Sequence, residues 1–352
     1  MLSTQALQRR FPLVDDPKVR WMSRILMPAV FAFIVFAVLL LAFGKNPISA
    51  YADVFKSTLG SKYGFSEVLV KMIPLVLTAV AVAVPARVGL VNVGGEGQLF
   101  MGAWLATWGA LTFDTLPAVA MVPLLFVLGF LGGGLFAAIS GILRARGWVN
   151  EVISTLLMNY IGTLIVSLFV FGPWKEAQSS NYPQSPEFVD AAKLPTFFDT
   201  RVHLGIFFAA LAVAAFYFLL KKTRFGYEMR AIGGNQEAAR RSGISVGWYI
   251  IVMMFIGGGI AGLAGLGEAA GIQGRLRPGL SPGYGFMGFL ISWISGHNPI
   301  AIVFMSFLMA IITAGGDILQ ISHGLPFSAV NILMALILFV VLARRARKEV
   351  TR

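Results

Sequence analysis

The sequence contains no cysteine, only three histidines and few charged residues. The absence of cysteine excludes disulfides, thiolate metal sites and cysteine nucleophiles. His203, His297 and His323 are far apart and lack metal-ligand spacing, so no metal site is predicted. No G-x-x-x-x-G-K-[ST] phosphate loop, H-E-x-x-H pair or Ser-His-Asp arrangement stands out. We therefore predict a non-catalytic chain that needs no cofactor and does not itself bind ATP.

Charged residues make up 12% of the chain and hydrophobic residues 57%, whereas a soluble domain is roughly a quarter charged. About 200 apolar residues would furnish about ten bilayer-spanning helices of roughly 20 residues each. This composition excludes a soluble enzyme, a disordered protein and a disulfide-stapled secreted domain. We predict an all-α polytopic membrane protein with about ten transmembrane helices.

Apolar segments and polar connections alternate along the chain. The apolar segments run approximately over 25–43, 67–86, 98–113, 117–142, 151–171, 203–220, 248–268, 286–296, 299–318 and 326–343. The charged region before residue 25 is too long for a cleavable signal peptide, so the first segment is predicted to be a retained helix. The domains predicted are a cytoplasmic N-terminal segment 1–24, one transmembrane domain 25–343 and a basic cytoplasmic tail 344–352.

The net charge of +12 would suggest nucleic acid as a partner of a soluble protein. With the N-terminus in the cytoplasm, however, 19 of the 28 basic residues fall on the cytoplasmic side and 8 outside, and Lys71 lies within a span. Lys and Arg are enriched in cytoplasmic loops of membrane proteins. The charge therefore predicts two cytoplasmic termini and an even number of spans, ten, or eight if weak segments are re-entrant, with no nucleic-acid partner.

An internal repeat relates the two halves of the sequence. The frame G-x-x-F-M-G occurs at 97–102 and 283–288, Pro117 matches Pro299, and a glycine pair at 133–134 matches one at 315–316, with offsets of 186 or 182 residues. This shift carries spans 2–5 onto spans 7–10, five helices later, and an odd shift inverts the orientation. Such inverted repeats are related by an axis in the membrane plane and hold a transport path at their interface.

The loop 221–247 contains the signals of a short helix. Asn235 is a good N-cap, Glu237 suits the first turn, and Gly243 is placed to end the helix. The glycine pair 233–234 is predicted to break any helix begun around Tyr227. A helix of about seven residues is too short to be stable alone, so flanking spans or a partner must hold it; the alternative is an ordinary capped loop helix.

Glu237-Ala238-Ala239 followed by Gly243 resembles the EAA-x-x-x-G pattern of permeases of ATP-binding-cassette (ABC) importers. The resemblance implies that this short helix is the coupling helix, which fits into a groove on a cytoplasmic ATPase. It implies coupling roles for Asn235, Glu237, Ala238, Ala239, Arg240 and Gly243. The Ile-x-Leu-Pro part of the fuller pattern is absent, because Met253 and Met254 stand there.

Three further stretches narrow the resemblance: GLVNVGGEGQLFMGAW (89–104), NEVISTLLMNYI (150–161) and GRLRPGLSPGYGF (274–286). Together with 224–244 they resemble permeases of the ribose and branched-chain amino-acid superfamily, in its nucleoside and simple-sugar branch. The resemblance covers roughly 65–342. The stretch ISWISGHNP (291–299) departs from it and leaves the exact substrate open.

This resemblance implies a multi-pass permease subunit in the inner membrane of a bacterium, surrounded by lipid. Its small-molecule substrate would be a nucleoside, or alternatively a simple sugar such as ribose. The implied partners are a cytoplasmic ABC ATPase, a second permease that is identical or related, and an extracytoplasmic substrate-binding protein. A secondary transporter or channel would also show inverted repeats but would have no use for a coupling helix.

Several polar residues stand at membrane depth or beside interrupted segments. Those predicted to line a translocation path are Asn92, Glu96, Gln98, Asn159, Glu268 and Tyr284. Non-helical backbone at membrane depth survives only inside protein or beside a watery cavity; the alternative for 87–97 is a plain cytoplasmic turn. The amide of Asn159 needs a partner, either a neighbouring helix or a polar substrate. Glu268 is a functional candidate or a boundary charge.

Two groups of residues are assigned other roles. Gln273, Arg275 and Arg277 are predicted to gate the outer mouth or contact a binding protein, with solvation as the alternative. The long external loop 172–202 could dock an external partner or passively cap that mouth. The G-x-x-x-G pairs Gly129/Gly133 and Gly258/Gly262 are assigned to close helix packing, and Asn150 and Glu151 to the N-cap and first turn of the fifth span.

Overall fold

The computed structural model describes residues 34–38, 40–177, 182–324 and 332. Its helices are α1 Pro47–Leu59, α2 Lys62–Ala86, α3 Gly95–Thr112, α4 Ala118–Ala145, α5 Glu151–Phe171, α6 Gly205–Lys222, α7 Arg224–Gly234, α8 Gln236–Arg241, α9 Val246–Leu266, α10 Tyr284–Ile294 and α11 Pro299–His323. A π-helical segment, Gly267–Gln273, continues α9, and a short 3-10 turn spans Asp190–Ala192. In the part of the chain described, the only strand-like feature is one bridge between Thr196 and His203.

Six of the described helices are long and apolar enough to cross a membrane: α2, α4, α5, α6, α9 with its π-helical segment, and α11. A seventh is added if the bent pair Ile34–Ala42 and Pro47–Leu59 counts as one span, and α10 is apolar but shorter. The predicted all-α membrane class is therefore confirmed, whereas the full set of ten spans stays a prediction.

Eight of the ten predicted apolar segments coincide with helices among the described residues, with ends that agree within about five residues. The tenth segment, 326–343, lies outside the described residues except for Ile332, and the first is described only from residue 34. The sequence reading missed α1, which lies in a stretch interpreted as a polar connection. Ile48, Tyr51, Phe55 and Leu59 recur at helical spacing there, but no continuous apolar run marks them.

The chain divides into two compact units, one formed by residues up to Ser57 together with those from Gly315 onward, and the other by Thr58–Ala314. In the first unit, His323 Nε2 lies 2.9 Å from Asp53 Oδ2. The rings of Phe36 and Tyr51 have centroids 6.3 Å apart. All the candidate site residues belong to the second unit, which is described below.

The core of the second unit is formed by α2 and α9, which are apolar on all sides and mostly buried. A helix of that kind belongs in the interior. Helix α9 packs against α4, α3 and α2, while α2 packs against α9, α10 and α6. Helix α2 makes few contacts with α3, which follows it, and α9 packs more against α3 than against α10. Helices α2 and α3 thus contact each other less than they contact α9 and α10, and α9 and α10 likewise contact each other less than they contact α2 and α3.

At their closest approach, α4 and α9 are in direct backbone contact. A Cβ added to Gly133 would overlap the Gly258 carbonyl, and one added to Gly262 would overlap the Gly129 carbonyl. The two G-x-x-x-G pairs therefore face each other. Their assignment to close packing is confirmed, since only glycine permits this approach.

Candidate functional site

Two helices begin next to each other inside the second unit. Helix α3 starts at Gly95, after the non-helical segment 87–94, and α10 starts at Tyr284, after Gly283 with φ +101°. A Cβ on Gly285 would overlap the backbone of Glu96. Glu96, which directly precedes the first G-x-x-F-M-G frame, therefore contacts Gly285 of the second frame at the beginnings of α3 and α10.

The buried carboxylate of Glu96 joins these helix ends. Its Oε2 accepts a hydrogen bond of 2.7 Å from the backbone N–H of Gly285, in the first turn of α10. Glu96 also stands in the first turn of its own helix. A carboxylate is favourable at a helix N-terminus because the macrodipole is positive there, and this one serves two N-termini. Tyr284 is buried beside it, and its carbonyl accepts from Thr78 Oγ1 at 3.0 Å.

The three candidate amides are buried and pair with groups of the protein. Asn92 Nδ2 donates to Gln98 Oε1 at 3.0 Å, and Gln98 Nε2 donates to Asn92 Oδ1 at 2.9 Å. Asn159 Oδ1 accepts from Gly97 N at 2.8 Å, and its Nδ2 donates to Val93 O at 2.9 Å. The sequence left either a neighbouring helix or a polar substrate as the partner of the Asn159 amide. In the structure its partners are the backbone groups of Val93 and Gly97, around the start of α3.

Helix α8 matches the short capped helix predicted between Asn235 and Gly243. Asn235 Oδ1 accepts from Ala238 N at 3.0 Å, and the backbone of Gly243 has φ +83°. Glu237, Ala238 and Arg240 are exposed, while Ala239 is buried against the chain. The helix thus presents one small, charge-flanked face outward. The predicted break at the glycine pair is confirmed, since α7 starts at Arg224, slightly before Tyr227, and ends at Gly234.

Gln236, the first residue of α8, contacts the non-helical segment 87–94. Gln236 Nε2 donates to Val88 O at 3.0 Å. At the other side of that segment, Asn150 caps α5 by accepting from Val152 N at 2.8 Å, as predicted. Glu151 is buried and forms an ion pair with Arg144 at 2.8 Å. Sequence reasoning did not identify Gln236, because its partner lies 148 residues away.

The loop 172–202 folds back onto the segment that follows α9. Arg275 forms ion pairs with Glu176 at 2.9 Å and with Glu187 at 3.1 Å, both in that loop. Ser185 and Leu276 exchange two hydrogen bonds. The two acidic partners of Arg275 were not identified from the sequence, since nothing in their spacing marks them.

The other two members of the predicted outer group lie in the same segment. Gln273 Nε2 donates to Leu280 O at 3.2 Å, and the guanidinium Nε of Arg277 is buried without a hydrogen-bond partner among the described residues. Glu268 is buried in the π-helical segment. Lys71 and Arg201 lie close enough to act on its charge.

A buried histidine just before the start of α6 adjoins the π-helical segment. His203 lies before α6 with its ring against Gly267 and Gly271, and its Nδ1 accepts from Gly205 N at 3.1 Å. Burial, reinforced by the charge of Arg201, lowers the pKa of His203 to about 4. The imidazole is therefore neutral at physiological pH.

His203 is expected to make the protein less stable in acid. An unfolded histidine takes up a proton near pH 6.5, whereas folded His203 does so only near pH 4, so its contribution is present above pH 6.5 and is lost as the pH falls toward 4. The loss is at most about 3 kcal/mol. Thermal unfolding in detergent at pH 8, 6 and 5 should show a smaller acid-induced drop in Tm for His203→Gln. Equal acid-induced drops in Tm for the wild type and for His203→Gln would contradict the lowered pKa of His203.

The described apolar helices of spanning length are those of a multi-pass membrane protein. The chain belongs to the family described as the branched-chain amino acid transport system permease component, whose model matches residues 64–342.

Three relatives indicate what members of this family transport. The glucose ABC transporter permease protein TsgB13 of Haloferax volcanii is 37% identical over 318 residues, which cover 87% of this chain and 83% of the relative. The nucleoside ABC transporter permease protein NupB of Lactococcus lactis is 32% identical over 89% of this chain and 88% of its own. The guanosine ABC transporter permease protein NupP of Bacillus subtilis is 32% identical over 92% and 94%.

Proposed function

We propose that this chain is the membrane subunit of an ABC importer that carries a nucleoside across the cytoplasmic membrane of a bacterium. The observation that carries the proposal is helix α8, a capped six-residue helix with an exposed small face that matches the coupling-helix pattern. The energy comes from ATP hydrolysed by a separate cytoplasmic subunit. A second permease, identical or related, and an extracytoplasmic substrate-binding protein complete the transporter.

The proposed topology has ten spans and two cytoplasmic termini, with spans 2–5 and 7–10 as an inverted repeat. In this arrangement α2–α5 form the first half, α9–α11 begin the second, and α6 links them. The proposal is supported by the exchange of neighbours between the halves, in which α3 packs on α9 and α10 packs on α2. It is also supported by the contact between Gly95, two residues before the first repeat frame, and Gly285 within the second.

The proposed translocation path follows the junction of α3 and α10. Glu96, Tyr284 and Glu268 are the residues proposed to face it when the halves move apart. Asn92, Gln98 and Asn159 are proposed to support the wall of the path, because their amides already hydrogen-bond to groups of the protein. A path with few fixed charges suits a polar neutral solute.

Gln273, Arg275 and Arg277 are proposed to control the outer end of the path. The proposal is supported by the way Arg275 ties the loop 172–202 to the segment after α9. In this arrangement the loop caps the outer mouth. A substrate-binding protein that docks there acts on these ion pairs.

Coupling through α8 is tested by substituting the glycine that ends it. Gly243→Pro is expected to abolish co-purification of the cognate ATPase, because proline fixes φ near −65° where the backbone requires +83°. The matched control is Gly147→Pro. Gly147 follows α4 with φ +72°, and its N–H also bonds the carbonyl three residues earlier at 3.0 Å. If both variants retain the ATPase equally, α8 is not the coupling helix.

A simple sugar is the second candidate cargo, favoured by the identity of 37% with a glucose permease. The two are separated by uptake in cells that lack their own nucleoside and sugar transporters. The transporter with its ATPase and binding protein is expected to accumulate labelled guanosine, and unlabelled nucleosides should compete while glucose and ribose do not. Competition by the sugars alone would reverse the assignment.

A further inference from the structure

The interrupted segment between α2 and α3 is held at both ends by hydrogen bonds from other parts of the chain. We call residues 88–94 the strap. At one end, Val88 O accepts from Gln236 Nε2, at the start of α8. The backbone beside it approaches α7 so closely that a Cβ on Gly233 would overlap the Arg87 carbonyl. The beginning of the strap therefore lies directly against the junction of α7 and α8.

The other end of the strap is fixed to helix α5. Val93 N donates to Thr155 Oγ1 at 3.2 Å, and Val93 O accepts from Asn159 Nδ2 at 2.9 Å. Thr155 and Asn159 are four residues apart and thus share one face of α5. The backbone N–H and C=O of Val93 are thus both hydrogen-bonded, and the side chains of Thr155 and Asn159 are buried. This end of the strap cannot move without α5 unless buried hydrogen bonds break.

The strap is also joined rigidly to the first turn of α3. The Asn92–Gln98 amide pair closes it onto the helix, and Asn92 Oδ1 additionally accepts from Gly94 N at 3.0 Å. Asn159 Oδ1, from α5, accepts from Gly97 N. Glu96, which binds the N-terminus of α10, stands within the same turn.

We propose that the strap transmits displacement of α8 to the junction of α3 and α10, and that Thr155 and Asn159 are positioning residues for this step. The inference rests on the proposed role of α8 in coupling. Seven residues that are hydrogen-bonded at both ends leave little slack, so movement of Gln236 shifts the start of α3. The displacement reaches the Glu96–Gly285 hydrogen bond, where the two halves part.

The test replaces one strap contact without changing side-chain shape. Thr155→Val removes the acceptor for Val93 N, and Thr155→Ser keeps it. Thr163→Val is the matched control, because the Thr163 hydroxyl on the same helix bonds only the α5 carbonyls of Asn159 and Tyr160. Each permease is purified with its ATPase and reconstituted with its binding protein. ATP hydrolysis and uptake of labelled guanosine and labelled glucose are measured in parallel.

For Thr155→Val we expect ATPase binding and at least half of the wild-type hydrolysis, with uptake per ATP lowered at least fivefold. Thr155→Ser and Thr163→Val should stay within twofold of wild type. If Thr155→Val does not assemble, Gln236→Ala at the opposite end should show the same loss. An unchanged uptake-to-ATP ratio in the assembled variant overturns the inference, and a wild-type chain that fails to bind the ATPase overturns the coupling role of α8 as well.

A second measurement does not depend on the cargo. Because the chain has no cysteine, Val93→Cys introduces a single thiol in the strap while leaving its backbone bonds in place. Its rate of modification by N-ethylmaleimide should change at least threefold between the nucleotide-free and the ATP-vanadate states. The change should disappear when Thr155→Val is added and persist with Thr163→Val. The same change in all three proteins overturns the inference.

Discussion

Gly262→Ala is expected to destabilise the permease strongly, although it adds a single methyl group. That methyl would overlap the Gly129 carbonyl, so α4 and α9 would have to separate along their whole crossing. Overpacking typically costs 1–3 kcal/mol, and here the obstacle is backbone, so we expect about 3 kcal/mol or more. Thermal unfolding in detergent should show Tm lowered by more than about 5 °C, with most of the protein aggregated on gel filtration.

The control for this substitution is a helical glycine with open space around it. A Cβ on Gly234, the last residue of α7, would meet nothing within 4 Å. Gly234→Ala should be neutral or slightly stabilising, because alanine is the better helix former by about 1 kcal/mol. Equal stability of the two variants would show that the crossing does not depend on backbone contact.

Glu96→Leu is expected to lower uptake at least tenfold. The substitution removes the acceptor for Gly285 N and the negative charge shared by the N-termini of α3 and α10. A buried donor left without a partner costs about 1–3 kcal/mol, which either loosens the junction or drives it into another arrangement. Uptake of labelled guanosine and glucose, normalised to the amount of folded permease, measures the effect.

Glu96→Gln is the companion variant, because its amide oxygen can still accept from Gly285 N. If the hydrogen bond is what matters, this variant should retain uptake within about threefold of wild type. If Gln and Leu are equally defective, the charge itself is required. Full activity of both would remove Glu96 from the proposed path.

The parts of the structure that follow from local signals could be predicted from the sequence. The ends of α8 follow from the cap at Asn235 and the left-handed position at Gly243, and α5 begins at its capping asparagine. Continuous apolar runs, which are also a local signal, located eight segments, α5 among them. Helix α1 was missed because a short amphipathic helix buries only part of its surface and interrupts its apolar residues with polar ones.

The partners of the polar residues could not be predicted in the same way. Asn159 finds Val93 and Gly97 more than 60 residues away, and Gly285 meets Glu96 across 189 residues. Such pairs depend on how whole helices pack, which one sequence does not encode locally. The sequence repeat matched 97–102 to 283–288, but it did not predict that the Glu96 carboxylate beside the first frame would bind the backbone of the second.

The π-helical segment at Gly267–Gln273 has a consequence for engineering and for natural variation of this outer region. In an α-helix each residue turns the chain by about 100°, and a π-helical turn accommodates an additional residue. Deleting one residue within the segment would let α9 continue as an ordinary helix. Because the π-helical turn already accommodates the additional residue, the residues beyond it would keep nearly the same orientation, and Arg275 would still face Glu176 and Glu187. A change of one residue in chain length at this point is therefore expected to leave the ion pairs of Arg275 in place.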